Sequence, residues 1–386
     1  MKLKVYNSIS LINPKDWNSI LHHTDIFNEH EFLYALEKAK VEKSITKYLC
    51  FYKDERLIAT SVVSVFYLNL ALFIGDNAFV RLIQKIFSRF FHLKVLFVGT
   101  PLSAGQNHLR ITSKNNFTEI LNKHLDWANK HCKENNIKHC IFKEFEQNET
   151  HLFSNIFKEH NYFKACSIPT VKMSLNYSDY SEYISNLRSG YRRQIQHSLK
   201  KAGISNFKFE FEVGPKHNSD TEFSIISLKE YGVEKFYNLY LNVLDRAEVK
   251  LETLNQEFFE QLSKDESSTV QLLRMCVKDQ DLGVFAFSIR KEELTFIWTA
   301  KAASKDKYHS YQNLLQALIC YGITKGCKTL VLGQTAYYPK MRVGGTPEDL
   351  FLFYKAQSNI THSILKLFNS IIFPRLKLKP LKTFNT

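Results

Sequence analysis

An α/β architecture in two related halves, each a mixed sheet with flanking helices, follows from two recurrences in this 386-residue chain. Residues 48–59 read as strand, polar turn, strand, and residues 274–285 repeat that pattern with Cys at the matching place and Lys-Asp within one residue of its own. A helix running into a strand recurs as well. Residues 116–135 carry Phe117, Ile120, Leu121, Leu125 and Ala128 at helical spacing and lead into an apolar run at 138–143. Residues 311–325 carry Leu314, Leu315, Leu318, Ile319 and Ile323 and lead into 328–332. Hairpins joined to crossover helices give mixed sheets, and a repeated set of them gives two domains. The seam falls after an apolar strand at 169–175, near Tyr177 and Tyr180, which divides the chain into domains 1–177 and 178–386.

Composition narrows the class further. Hydrophobic residues make up 44% and aromatics 14%, enough apolar surface to offset the entropy of ordering the chain. With 13 Gly and 8 Pro, collagen-like and linker architectures are excluded. Seven cysteines, none in a CxxC spacing and most inside apolar runs, read as buried reduced thiols. The first residues lack a secretory core, so a cytoplasmic location is expected. The net charge of +14 calls for anionic partners.

Along the first half, residues 57–75 carry no charge but are interrupted by Asn69. A spanning helix needs about 20 predominantly apolar residues, so this run reads as two buried strands. Residues 78–92 follow with Phe79, Leu82, Ile83, Ile86, Phe87, Phe90 and Phe91 at helical spacing. Arg81, Lys85, Arg89 and His92 take the other face, with no acidic residue. That pattern predicts a basic amphipathic helix, inserted in the first half only, suited to an anionic membrane surface. An ordinary helix packed on a sheet has the same pattern.

In the second half, residues 186–202 place Leu187, Tyr191, Ile195 and Leu199 on one stripe and crowd Arg188, Arg192, Arg193, His197, Lys200 and Lys201 around the rest. A cationic helix without acids suggests an anion: a cofactor phosphate, a lipid head group or nucleic acid. The polar segment 301–313 ends in Ser310, a good N-cap, preceded by Lys305, Lys307 and His309. A helix start flanked by cations is a plausible phosphate site, and His309 has the titration range of a general base. Beyond the strand at 328–332 come Gly333, Gln334, Tyr337, Lys340, Arg342, Gly344 and Gly345. In a Gly-poor chain these glycines mark special backbone angles or close approach. A basic stretch at 373–382 also favours a membrane surface. The GxxxxGK[ST], GxGxxG, HExxH and GxSxG signatures are absent, which removes the usual support for ATP, dinucleotide and zinc chemistry.

Residues 187–201 resemble the Arg-rich helix of bacterial FemAB-like proteins of the GNAT acyltransferase superfamily. Residues 284–300, 308–326 and 330–345 resemble the remainder of that family's C-terminal catalytic domain: strand, helix ending in Gly, strand, then Lys and Gly spaced as Lys340 and Gly344. The first half matches as a degenerate copy, best at 99–105. The resemblance implies two tandem GNAT-like domains and an acyltransferase. It implies transfer from a thioester donor, acyl-CoA or acyl carrier protein, to the amine of a lipid or envelope precursor at a membrane surface. No tightly bound cofactor and no metal are implied. The alternatives are transfer from aminoacyl-tRNA to a peptidoglycan precursor, and a non-catalytic membrane- or polyanion-binding protein. The chain lacks a clear Gln/Arg-x-x-Gly-x-Gly/Ala loop, and 305–310 stands in its place. On this reading His309, Lys340, Tyr311 and Tyr337 are catalytic. Tyr308, Ser310, Gln312, Asn313 and Lys305 bind the donor. Arg188, Arg192, Arg193, Gln334 and Arg342 bind substrate.

Overall fold

The computed structural model describes residues 1–22, 25–69, 92–102, 105–112, 116–204, 221–247, 253–265, 269–302 and 306–385. Two compact units result, one of Met1–Pro169, Val249–Phe258 and Asp349–Lys377, the other of Thr170–Glu248, Phe259–Glu348 and Leu378–Thr386.

The first unit holds β1 (Lys2–Tyr6), β2 (Ile45–Lys53), β3 (Arg56–Asn69), β4 (His92–Val98), β5 (Leu109–Ile111), β6 (His139–Glu146) and β7 (Phe163–Cys166). Strands β1-β2-β3-β4-β6 run side by side, with β5 on β3. Among the described strands β4 and β6 pair in parallel, and helix Phe117–Glu134 lies between them in the chain. The apolar period read from the sequence buries Ile120, Leu121, Leu125 and Ala128 against that sheet.

In the second unit, β8 (Thr170–Ser174), β9 (Thr221–Ser227), β10 (Val270–Val277), β11 (Gln280–Arg290), β12 (Glu293–Lys301), β13 (Thr329–Gly333) and β14 (Thr346–Glu348) take the order β14-β8-β13-β12-β11-β10-β9. Again one pair is parallel, β12 with β13, and helix Ser310–Thr324 lies between them in the chain. The last strand, β15 (Leu350–Ala356), lies between β6 and β7 in the first sheet.

The two halves therefore share one plan: β2-β3-β4-helix-β6 corresponds to β10-β11-β12-helix-β13. The hairpins match in detail. Both turn on two residues with positive φ, Asp54 (48°) and Glu55 (63°) in one, Lys278 (50°) and Asp279 (61°) in the other. That backbone is the one whose twist suits adjoining strands. The two halves differ between the second and third strand positions. Residues 70–91 separate β3 from β4, whereas 291–292 separate β11 from β12.

Of the uncharged run at 57–75, expected as two strands, residues 57–69 lie in one strand, β3, and 70–75 lie outside the described residues. Of the expected basic helix at 78–92, residues 78–91 lie outside the described residues and His92 opens β4. Among the described residues, no helix is long and apolar enough to cross a membrane. Six cysteines are buried and Cys166 is half-buried.

Helix Ser310–Thr324 is apolar around nearly its whole circumference, because it is covered by β10 and β11 and by helices Tyr180–Asn186 and Ser189–Lys201. At Gly322 it approaches the sheet so closely that a Cβ would lie 2.7 Å from Leu175 Cδ1.

Candidate functional site

A cleft of about 700 Å³ opens in the second unit between the Arg-rich helix Ser189–Lys201 and the start of helix Ser310–Thr324. The Arg-rich helix supplies Tyr191, Arg193, Gln194, His197 and Ser198. Asp306, His309, Tyr311 and Gln312 line the other side, and Arg342 also lines the cleft. The apolar stripe of the Arg-rich helix faces inward through Ile195, which leaves the cationic faces for the cleft and solvent.

His309 sits at the N-cap of its helix with left-handed backbone, φ 51° and ψ 46°. That conformation costs on the order of 1–3 kcal/mol for such a residue and persists only where surroundings enforce it. Two hydrogen bonds enforce it here. Asn313, wholly buried, donates from Nδ2 to the Ser198 carbonyl (3.0 Å) and to the Tyr308 carbonyl (2.8 Å), pinning the loop to the neighbouring helix. The Ser198 hydroxyl then lies 3.0 Å from His309 Nδ1. The His197 ring stands 5.8 Å from that of His309.

The helix start is closed by a side chain other than the one expected. Ser310 is not the N-cap: it occupies the first helical turn, is buried, and its hydroxyl donates to Asp306. The Asp306 carboxylate accepts from the Ser310 backbone N–H at 2.8 Å and from Lys301 at 2.5 Å. Desolvation opposes its ionisation, yet the Lys301 and Ser310 hydrogen bonds prevail and hold its carboxyl below the usual range. A carboxylate thus stands where a phosphate had been expected.

Lys340 and Arg342 also separate. They lie two residues apart on helix Tyr337–Arg342, which points them to different sides. Arg342 reaches the cleft. Lys340 is buried, with Nζ donating to the carbonyls of Gln334 (2.7 Å) and Gly333 (3.4 Å), 5.7 Å from the Phe296 ring centroid. Burial pushes its pKa down to about 7. The turn it holds is strained, since Gly333, Thr335 and Ala336 all have positive φ. Gly344 has φ 103°, and a Cβ there would strike the Phe384 ring.

The other arginines divide similarly. Arg193 lines the cleft. Arg188 donates from Nε to the Phe384 carbonyl at 3.0 Å and Arg192 donates to the Ser185 carbonyl at 3.2 Å. Tyr311 packs edge-on to Phe285, and burial raises its hydroxyl pKa. Tyr337 opens the short helix and is raised to about 12 by burial. Tyr308 has Lys307 over its ring and Gln334 is half-buried in the strained turn. Lys305 lies outside the described residues.

The FemAB-like family, described as peptidoglycan biosynthesis/recognition, matches residues 8–330. The chain belongs to the FemAB-like family. Its fold is that of FemX, with a TM-score of 0.60 at 9% identity over 95% of this chain and 100% of that one. L-PGS from Bacillus licheniformis superposes with a TM-score of 0.52 at 12% identity, over 94% and 98% of the two chains. A domain assigned to a lysylphosphatidylglycerol synthetase from Agrobacterium fabrum gives 0.53 at 8% identity, over 93% and 95%. No curated protein matches the sequence significantly. The two halves of this FemAB-like chain thus share the fold of FemX.

Three side chains of the site escaped the sequence reading. Ser198 and Gln194 sit unmarked among the cations of their helix, and Asp306 among the lysines of its loop. Among the described residues no group of His, Cys, Asp or Glu is placed to hold a metal ion.

Proposed function

We propose that this FemAB-like chain transfers an activated aminoacyl or acyl group to the amine of a cell-envelope precursor, with the reacting groups held in the cleft of the second unit. Membership of a family described as peptidoglycan biosynthesis/recognition supports the acceptor class. The Ser198–His309 pair is the observation that carries the chemistry. With Nδ1–H donating to Ser198, Nε2 is left as the proton acceptor. The acceptor amine attacks the donor carbonyl, His309 takes the proton released as the C–N bond forms, and the donor's oxygen or sulfur leaves with that proton. Arg193 and Arg342 supply positive charge for an anionic part of either substrate. Lys340 positions the strained turn behind Arg342.

An aminoacyl ester of tRNA suits the site better than acyl-CoA. Asp306 already occupies the helix start, and its negative charge would repel a coenzyme pyrophosphate there. The deciding experiment offers the purified chain aminoacyl-tRNA, acyl-CoA and acyl carrier protein in parallel, with amine-bearing envelope precursors, and reads product mass. Product from aminoacyl-tRNA supports this donor, and product from acyl-CoA alone rejects it.

A further inference from the structure

The chain ends of the first unit carry an apolar face that no part of the described sheet covers. Helices Asn359–Leu367 and Asn369–Ile372 attach to the sheet through one side. His362 is buried there and its Nδ1 accepts from the Ala356 N–H, while Leu365 and Ile372 pack on the cluster of Phe163, Tyr354 and Phe373. The opposite side displays Ile360, Ile364 and Leu367, spaced four and three apart on one helix so that they share a face, with Ile371 exposed on the short helix that follows. Exposure is 76% at Ile360, 78% at Leu367 and 61% at Ile371, with Phe368 and Leu376 beside them. Apolar residues scattered singly on a surface mean little, but a contiguous set marks an interaction site.

Charge decides the occupant. After Asp349 the chain contains no acidic residue. Lys366, Arg375 and Lys377 are exposed on the same unit, and Arg375 pairs with the Asp349 carboxylate at 2.5 Å. An apolar stripe rimmed by cations matches a bilayer surface, where the stripe enters the acyl boundary and the cations meet lipid phosphates. A protein partner of mixed charge would leave these cations unmatched.

We infer that the face of Ile360, Ile364 and Leu367, together with Ile371, docks the protein on an anionic membrane surface. The inference stands apart from the chemistry of the cleft, which lies in the other unit. The test is co-sedimentation of the full chain with phosphatidylcholine vesicles containing phosphatidylglycerol, or without it, with light scattering for oligomeric state. The wild type should bind the anionic vesicles and dissociate as salt rises. Ile364→Ser/Leu367→Ser/Ile371→Ser should lose tenfold or more in vesicle affinity. Lys366→Gln/Lys377→Gln should lose about fivefold for each charge removed. These side chains are exposed, so thermal unfolding should be unchanged. Should the serine variant unfold, the lysine variant and the salt dependence decide. Wild type that ignores anionic vesicles overturns the inference. Serine and lysine variants that bind like wild type overturn it equally. A dimer that the serine variant breaks, without vesicle binding, assigns the face to a second copy.

Discussion

The hydroxyl of Ser198, in the middle of the Arg-rich helix, stands 3.0 Å from Nδ1 of His309, at the head of a different helix. That contact engages Nδ1, and when Nδ1 carries the proton Nε2 is the acceptor. His309→Ala should therefore lower turnover about 100-fold or more, the usual range for a lost general base. Ser198→Ala should cost less and displace the acid limb of the pH–rate profile. The double variant should be no slower than His309→Ala, since residues acting as one unit are not additive. Steady-state kinetics across pH on the three proteins checks this, and additive losses would separate the two residues.

Lys340 gives a stability prediction with a definite sign. Its pKa falls from 10.5 to about 7 on folding, so between those values the unfolded chain holds a proton that the native chain has released. Stability then rises with pH across that window, by about 1.4 kcal/mol per unit from this group alone. Lys340→Met removes the dependence. Urea unfolding at pH 7, 8 and 9 should show wild type gaining on the variant at each step. A constant difference would mean that Lys340 stays charged when buried.

Gly190 lines the cleft, and a Cβ built on it meets nothing within 4 Å. Gly190→Trp should fill the cleft without disturbing the core. Removing a glycine from a helix should hold stability or raise it by up to ~1 kcal/mol. Catalytic efficiency should fall about tenfold or more, equivalent to about 1.4 kcal/mol of lost binding. Unchanged kinetics would place the substrates elsewhere.

Asp306→Ala removes the carboxylate that closes helix Ser310–Thr324 and pairs with Lys301. Loss of such a cap should cost about 1 kcal/mol, measured by urea unfolding. It also removes the charge argued to repel a pyrophosphate, so acyl-CoA affinity should rise in titration calorimetry if the wild type excludes it on that ground.

Sequence patterning reached the hairpins, crossover helices and tandem plan because those features are local. A short polar run between two apolar ones, Asp54-Glu55 in one hairpin and Lys278-Asp279 in the other, specifies a two-residue turn from local sequence alone. It could not reach β15: residues 350–356 read as an apolar strand, but nothing in seven residues says which sheet they complete. The site shows the same boundary. His309, Arg193, Tyr311, Gln312 and Arg342 were legible by residue type and do line one cleft. Lys340 was grouped with them, and its separation from Arg342 depends on the phase of a six-residue helix. Ser198 had one faint signal, a polar residue three positions from Ile195 on the packed side of its helix. Ser310 was read as the cap because it precedes the apolar period, whereas the loop folds back to bring Asp306 there instead.

Aminoacyl transfer to an envelope amine in the cleft beside His309 is open to direct measurement. The most direct measurement is single-turnover transfer from labelled aminoacyl-tRNA to a panel of amine-bearing cell-envelope precursors, with wild type and His309→Ala side by side and products identified by mass. The account predicts a precursor heavier by one aminoacyl residue with wild type, and a rate lower by about 100-fold or more with the variant. Equal rates for the two proteins, or no product from any precursor, would contradict it.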